Sequence, residues 1–213
     1  MRYHKIPDET VRRLPIYLRG LMVSVDQGRE HISSQSLADS VGVDAWQIRK
    51  DLSYFGDFGT PGVGYNIEKL ARGIKKTLRL DAIRRAALVG VGDLGSALLA
   101  YPGFRMYGLD IVAAFDVDPR KIGAVVNGVE IENSAKVDTL KQREISLAVV
   151  AVPREAAQVT VDSLVAAGVK GILNFAPCKL VVPRRIKVIT LDIAMELARL
   201  PYYMPRAEQM SET

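Results

Sequence analysis

Gly90, Gly92 and Gly95 stand in the spacing G-x-G-x-x-G within Leu88-Val89-Gly90-Val91-Gly92-Asp93-Leu94-Gly95-Ser96-Ala97-Leu98. The chemistry this spacing supports is the seating of a dinucleotide's pyrophosphate on backbone N–H groups at the start of a helix. Gly90 would make the turn, Gly92 would let the backbone approach the phosphates with no Cβ in the way, and Gly95 would let the helix lie close on the strand. Val91, Asp93 and Leu94, between the glycines, are counted with the cofactor-binding residues. Asp116, 21 residues beyond Gly95, ends the strand-like run Leu109-Asp110-Ile111-Val112-Ala113-Ala114-Phe115-Asp116. A carboxylate there accepts both adenosine ribose hydroxyls and repels a 2′-phosphate, which points to NAD(H) rather than NADP(H). The alternative is that Asp116 and Asp118 only cap a helix opened by Pro119.

The elements that must position these groups can be read in turn. The run before Gly90 is short and apolar, and small and apolar residues follow at helical spacing, so the motif reads as strand, tight turn, helix. Further along come a hairpin-like turn at Val126-Asn127-Gly128-Val129, a buried strand over 147–152, and a helix opened by Pro153 and ended at Gly168. Two more strands follow over 171–175 and 186–191. Strands alternating with helices imply an α/β fold, a doubly wound and mostly parallel sheet covered on both faces. The last helix, Ile193 to about Tyr203, is apolar nearly all round, with Glu196 and Arg199 as its charges. It must bury more than one side, either on its own sheet or in a second subunit.

The segment before the boundary near 80–84 has a different pattern. Val11, Leu14, Leu18, Leu21, Met22 and Val25 can share a helical face, with the regular helix expected to begin near Pro15. Ser33-Ser34 caps a short helix ended by Gly42; Asp44 caps the next, with Gln47 completing a capping box. Two short helices so joined have the form of a helix-turn-helix. With Ile48, Leu52 and Phe55 inward, the second helix presents Trp46, Lys50 and Ser53 outward and Gln47, Arg49 and Tyr54 on its flanks, donors suited to base edges and phosphates. The following Gly56-Asp57-Phe58-Gly59-Thr60-Pro61-Gly62-Val63-Gly64-Tyr65 suggests a hairpin with an exposed tip, the wing of a winged helix, with Thr60 and Gly62 at that tip. A basic amphipathic helix is expected from Ile67 to Leu80.

Charge agrees with a polyanion partner at this end. The 213-residue chain carries +5, of which +4 falls on residues 1–80. A hydrophobic content of 48% allows a packed core. The single cysteine, Cys178, excludes an internal disulfide and is expected to be a small buried hydrophobe in a reducing cytoplasm. Neither a secretory leader nor a membrane span is predicted. With His4 and His31 as the only histidines, expected in a frayed terminus and a loop, no metal cluster and no catalytic Ser/His/Asp grouping can be drawn.

The runs Arg49-Lys50-Asp51-Leu52-Ser53-Tyr54-Phe55-Gly56, Gly62-Val63-Gly64-Tyr65, Tyr101-Pro102-Gly103-Phe104, Phe115-Asp116-Val117-Asp118-Pro119, Val152-Pro153-Arg154-Glu155-Ala156-Ala157 and Gly171-Ile172-Leu173-Asn174-Phe175-Ala176-Pro177 together resemble the bacterial redox-sensing repressor family Rex, over roughly residues 5–205. The resemblance implies a cytoplasmic homodimer with winged-helix heads (1–82) on double-stranded operator DNA and Rossmann-like domains (83–191) holding NAD(H). It also implies a C-terminal segment (192–213) whose helix is exchanged between subunits, and release from the operator when NADH binds. Tyr101 would lie near the nicotinamide, and Asp192 would pair in one state with Arg19 of the other subunit. Ile193 stands where some members have Phe. Two rival readings are an NAD-dependent oxidoreductase, for which a proton relay and substrate domain are missing, and a CoA-binding module, whose ribose 3′-phosphate Asp116 would repel.

Overall fold

The computed structural model describes residues 6–60 and 62–204. The chain forms two compact units, Met1–Ala82 and Ile83–Thr213.

In the first unit the order is α1 (Asp8–Asp26), β1 (His31–Ile32), α2 (Ser34–Val41), α3 (Ala45–Ser53), β2 (Gly59–Thr60), β3 (Gly64–Asn66) and α4 (Ile67–Thr77). Contrary to the expected start near Pro15, α1 begins at Asp8 and runs through the proline. A proline inside a helix removes a donor and costs about 3 kcal/mol. Burial offsets it: Leu14, Leu18 and Leu21 are fully buried, each contributing about 1.5–3 kcal/mol. Val11 and Val25 are exposed and do not belong to that face.

Ser33 caps α2 by accepting the Ser36 N–H at 2.9 Å, and Gly42 ends it in the left-handed region at φ 68°. The capping box expected at α3 does not form. Asp44 makes no side-chain cap bond, and the Gln47 amide donates instead to Asp51 at 2.9 Å. His31 is not in a loop: β1 pairs antiparallel with β3, His31 opposite Asn66 and Ile32 opposite Tyr65. The expected hairpin is present, with Gly59 opposite Tyr65 and Thr60 opposite Gly64, giving a three-stranded sheet β1-β3-β2. Asn66 caps α4, which stops at Thr77 rather than Leu80 because Arg79 turns to φ 57°.

Asp51 ties this unit together. Its fully buried carboxylate accepts from Thr10 at 2.9 Å, Arg13 at 2.6 and 2.9 Å, Tyr17 at 2.6 Å and Gln47 at 2.9 Å, joining α1 to α3. Burial alone would raise its pKa, but the four donors outweigh burial and hold it at about 2. A carboxyl whose pKa is lower folded than unfolded stabilises above its ordinary value near 4, and that contribution disappears as pH falls through the folded value. The first unit should therefore lose about 2 kcal/mol between roughly pH 4 and 2. Asp51→Asn should flatten that limb of a melting-temperature profile; an unchanged slope would refute the assignment.

The second unit runs β4 (Arg84–Val89), α5 (Asp93–Ala100), α6 (Gly103–Met106), β5 (Leu109–Asp116), β6 (Val125–Val126), β7 (Val129–Asn133), a 3-10 segment (Ser134–Leu140), β8 (Leu147–Val150), α7 (Arg154–Ala166), β9 (Gly171–Asn174), β10 (Lys187–Thr190), α8 (Ile193–Arg199) and a 3-10 turn (Leu200–Tyr203). Its seven strands lie in the order β10-β9-β8-β4-β5-β7-β6, parallel except for the β6–β7 hairpin. Alternate residues of β4 face opposite layers. Ala87 and Val89 join Phe115, Val150 and the α7 residues Val161 and Leu164, while Leu88 joins Ala114, Val149 and Leu99 of α5. Strand order reverses at β4, flanked by β5 and β8, and the crevice at such a switch point is where open α/β sheets bind ligands.

No helix follows Pro119. Residues 119–123 form a turn in which Arg120 clasps Asp118 at 2.7 Å, so the helix-cap reading of Asp116 and Asp118 is overturned. α8 has no buried residue, with Ile193 63% exposed, and Tyr202 in the 3-10 turn after it is 86% exposed. The helix does not pack back onto its own sheet. Among the described residues no helix is long and apolar enough to cross a membrane.

Candidate functional site

The β4–α5 turn brings the three glycines together as their spacing requires. Gly90 sits at φ 92°, its N–H donating to the Phe115 carbonyl at 2.8 Å, and a Cβ there would strike the Ala151 backbone. A Cβ at Gly95 would overlap the Gly90 carbonyl oxygen, whereas around Gly92 the space is open. α5 starts at Asp93 with no side-chain cap. Its first N–H groups, which include those of Asp93 and Leu94, have no intrahelical partner and lie at the positive end of the helix dipole. A phosphate suits that cradle.

Asp116 ends β5 beside the turn and is 7% exposed. One oxygen accepts the Asp118 N–H at 2.9 Å; the other accepts the Val91 N–H at 2.8 Å and the Lys121 ammonium at 3.3 Å. Burial pushes its pKa up, but these donors outweigh burial and hold it below the ordinary carboxylate value. The group is thus ionised at neutral pH. Asp116 and Lys121 line, with Gly90, Gly92, Val152 and Thr160 among others, a cavity of about 510 Å³ at the carboxyl ends of β4, β5 and β8.

Tyr101 does not line that cavity. It borders a separate one of about 180 Å³ with Phe104, Arg105, Asp110 and Asn127. Its exposed ring meets Phe104 edge-on at 5.4 Å and lies against Gly103, where a Cβ would collide with it. Asp192 caps α8 by accepting the Met195 N–H at 3.2 Å, and Ile193 beside it is exposed. Arg19 is exposed on α1.

On α3 of the first unit Trp46, Arg49, Lys50 and Ser53 are exposed, as is Tyr54 at its C-cap. The Lys50 ammonium lies 4.8 Å from the Trp46 ring centroid, Arg49 donates to Ser34 at 2.8 Å, and the Ser53 hydroxyl donates to the Lys50 carbonyl at 2.7 Å. Gln47 is turned inward to Asp51 and is not part of this outer face. Thr60 and Gly62 are exposed at the hairpin tip. Pro61, between them, and His4 lie outside the described residues. Cys178 is half-buried, not the buried hydrophobe expected. No group of residues suited to a metal occurs among the described residues.

Sequence reasoning overlooked two residues, Asp51 and Lys121. A buried carboxylate on a polar helix shows no local sign when three of its four partners lie 34 to 41 positions away on α1 and the fourth, Gln47, reads equally well as a cap or a base contact. Lys121 could have been flagged as the cation five places beyond Asp116.

Comparison with known proteins covers both units. A family model described as a CoA binding domain matches residues 81–178, and one described as a putative DNA-binding protein N-terminus matches residues 5–53. The redox-sensing transcriptional repressor Rex of Roseiflexus sp. (strain RS-1) is 43% identical over 206 residues, 96% of this chain and 94% of that protein. The Rex of Halalkalibacterium halodurans is 44% identical over 200 residues, 94% of this chain and 95% of that protein. Among solved structures, RSP in complex with beta-NAD+ and operator DNA matches at TM-score 0.88 and 34% identity, over 97% of this chain and 96% of that one. RSP with beta-NADH matches at 0.85 and 32% identity, over 98% of each.

Proposed function

The chain belongs to the Rex family of redox-sensing transcriptional repressors, and we propose that it holds NAD(H) in its second unit and releases operator DNA from its first when NADH binds. It is a regulator, not an enzyme, in line with repressor relatives matched over nearly the whole length. The observation that carries the reading is the glycine turn with Asp116 in one unit and the exposed Trp46/Arg49/Lys50 face with its wing in the other.

Gly90, Gly92 and Gly95, with the N–H groups of Asp93 and Leu94, would seat the pyrophosphate, while Val91 between them would serve the site through its N–H to Asp116. Asp116 would accept the ribose hydroxyls, and Tyr101 would face the nicotinamide. Trp46, Arg49, Lys50, Ser53 and Tyr54 would enter a major groove, with Thr60 and Gly62 reaching the neighbouring backbone or minor groove. Gln47 would act through Asp51, positioning the helix. The exposed apolar side chains of α8 support its exchange into a second copy of the chain, and we place the resulting homodimer in the cytoplasm. The near-full-length structural neighbours are complexes with beta-NAD+ and beta-NADH, which favours NAD(H) over CoA as the ligand here.

Reduced and oxidised nicotinamide differ by one positive charge and in ring planarity. A network of Tyr101, Asp192 and Arg19 of the other subunit is a sensible detector of that difference. Moving a two-state dimer from 1:99 to 99:1 takes about 5.5 kcal/mol of differential affinity, which two cofactors can share. A gel-shift titration tests it: NADH should release the operator at concentrations where NAD+ does not, and equal release by both would overturn redox sensing.

A further inference from the structure

We propose that Lys121 is a specificity-determining residue of the ribose subsite, opposing Asp116 and giving the site a latent affinity for a 2′-phosphate. The inference rests on the reading of Asp116 as the ribose partner.

Asp116 and Lys121 are the charged residues lining the 510 Å³ cavity. The turn after β5 assigns each aspartate its own cation. Arg120 is committed to Asp118 through contacts of 2.7 and 3.0 Å, which leaves Lys121 to Asp116 at 3.3 Å. Lys121 is held at that place by its own backbone, whose N–H donates to the Asp118 carbonyl at 3.0 Å.

An ionised carboxylate offers about four acceptor sites, and three donors already use Asp116. Two of them are backbone N–H groups that the fold fixes. The third is a flexible ammonium, its side chain 38% exposed, and that donor is the one two ribose hydroxyls can displace. Once displaced, the ammonium remains on the cavity wall beside the 2′-position. A phosphate there would feel Asp116 and Lys121 at similar range with opposite signs, so repulsion by the carboxylate is largely cancelled. The carboxylate alone would exclude NADP(H) strongly; the pair excludes it weakly.

Calorimetry on the full-length protein tests this with NADH and NADPH, and with ADP and 2′,5′-ADP as nicotinamide-free probes. Lys121→Met should weaken NADPH and 2′,5′-ADP at least fivefold, whereas NADH and ADP, which no longer have an ammonium to displace from Asp116, should bind as tightly or more tightly. Asp116→Asn should shift the affinity ratio toward NADPH at least tenfold, and adding Lys121→Met should cancel that shift. Equal effects of Lys121→Met on both cofactors, or a shift that survives in the double variant, would overturn the role of Lys121. NADH affinity unchanged by Asp116→Asn would instead overturn the ribose reading of Asp116, and the Lys121→Met contrast decides the present inference without it.

Discussion

Asp51→Ala is expected to lower the stability of the first unit by about 3–5 kcal/mol, the cost of breaking a buried ion pair by removing one partner. The substitution strands Arg13, Tyr17, Thr10 and Gln47, all of which donate to this carboxylate. A unit of 82 residues has roughly 4–12 kcal/mol to lose at the usual 0.05–0.15 kcal/mol per residue. The variant should therefore stand near its unfolding threshold at growth temperature. Urea unfolding of the full-length chain followed by circular dichroism should show an early transition, with operator affinity greatly reduced and NADH affinity within twofold of the parent. A loss below 1 kcal/mol would mean that the network is not what joins α1 to α3.

Gly95→Ala is expected to raise the dissociation constant for NADH at least 100-fold, about 2.7 kcal/mol, while operator binding without cofactor is retained. The added methyl meets the Gly90 carbonyl. Gly90 cannot yield, since its N–H is bonded to Phe115 and its backbone is fixed at φ 92°. α5 must then move off β4, carrying the phosphate-facing N–H groups with it. The result would be a repressor deaf to NADH. Gly92→Ala supplies the contrast: its methyl enters open space, so the fold should be intact and the loss of NADH should come from blocked approach of the phosphates alone. Calorimetry and gel shift together read both variants; NADH binding within threefold of the parent in Gly95→Ala would refute the packing argument.

The parts of the molecule legible in the sequence are those governed by local chemistry. Gly90 and Gly95 announce a turn because a Cβ at either would collide with backbone, and Ser33 and Gly42 mark the ends of α2 because capping acts over three or four positions. Asn127 and Gly128, at φ 49° and 79°, likewise form the hairpin turn their types suggest. The elements that escaped depend on distant partners. β1 exists only because Tyr65 and Asn66 return to pair with it. Pro15 reads as a helix start until the leucines around it are seen to be buried. Pro119 reads as another, but Arg120 and Lys121 spend their side chains on Asp118 and Asp116 and close a turn instead. Gln47 suits a capping box or a base edge equally well by type, and the carboxylate at Asp51 claims it.

Trp46 is the chain's single tryptophan, it is 61% exposed, and an ammonium already rests against its ring. The indole's emission would therefore report from the surface proposed to meet operator DNA, with no second indole to dilute the signal. Occupancy of that surface can be followed by intrinsic fluorescence on the native, unlabelled polypeptide.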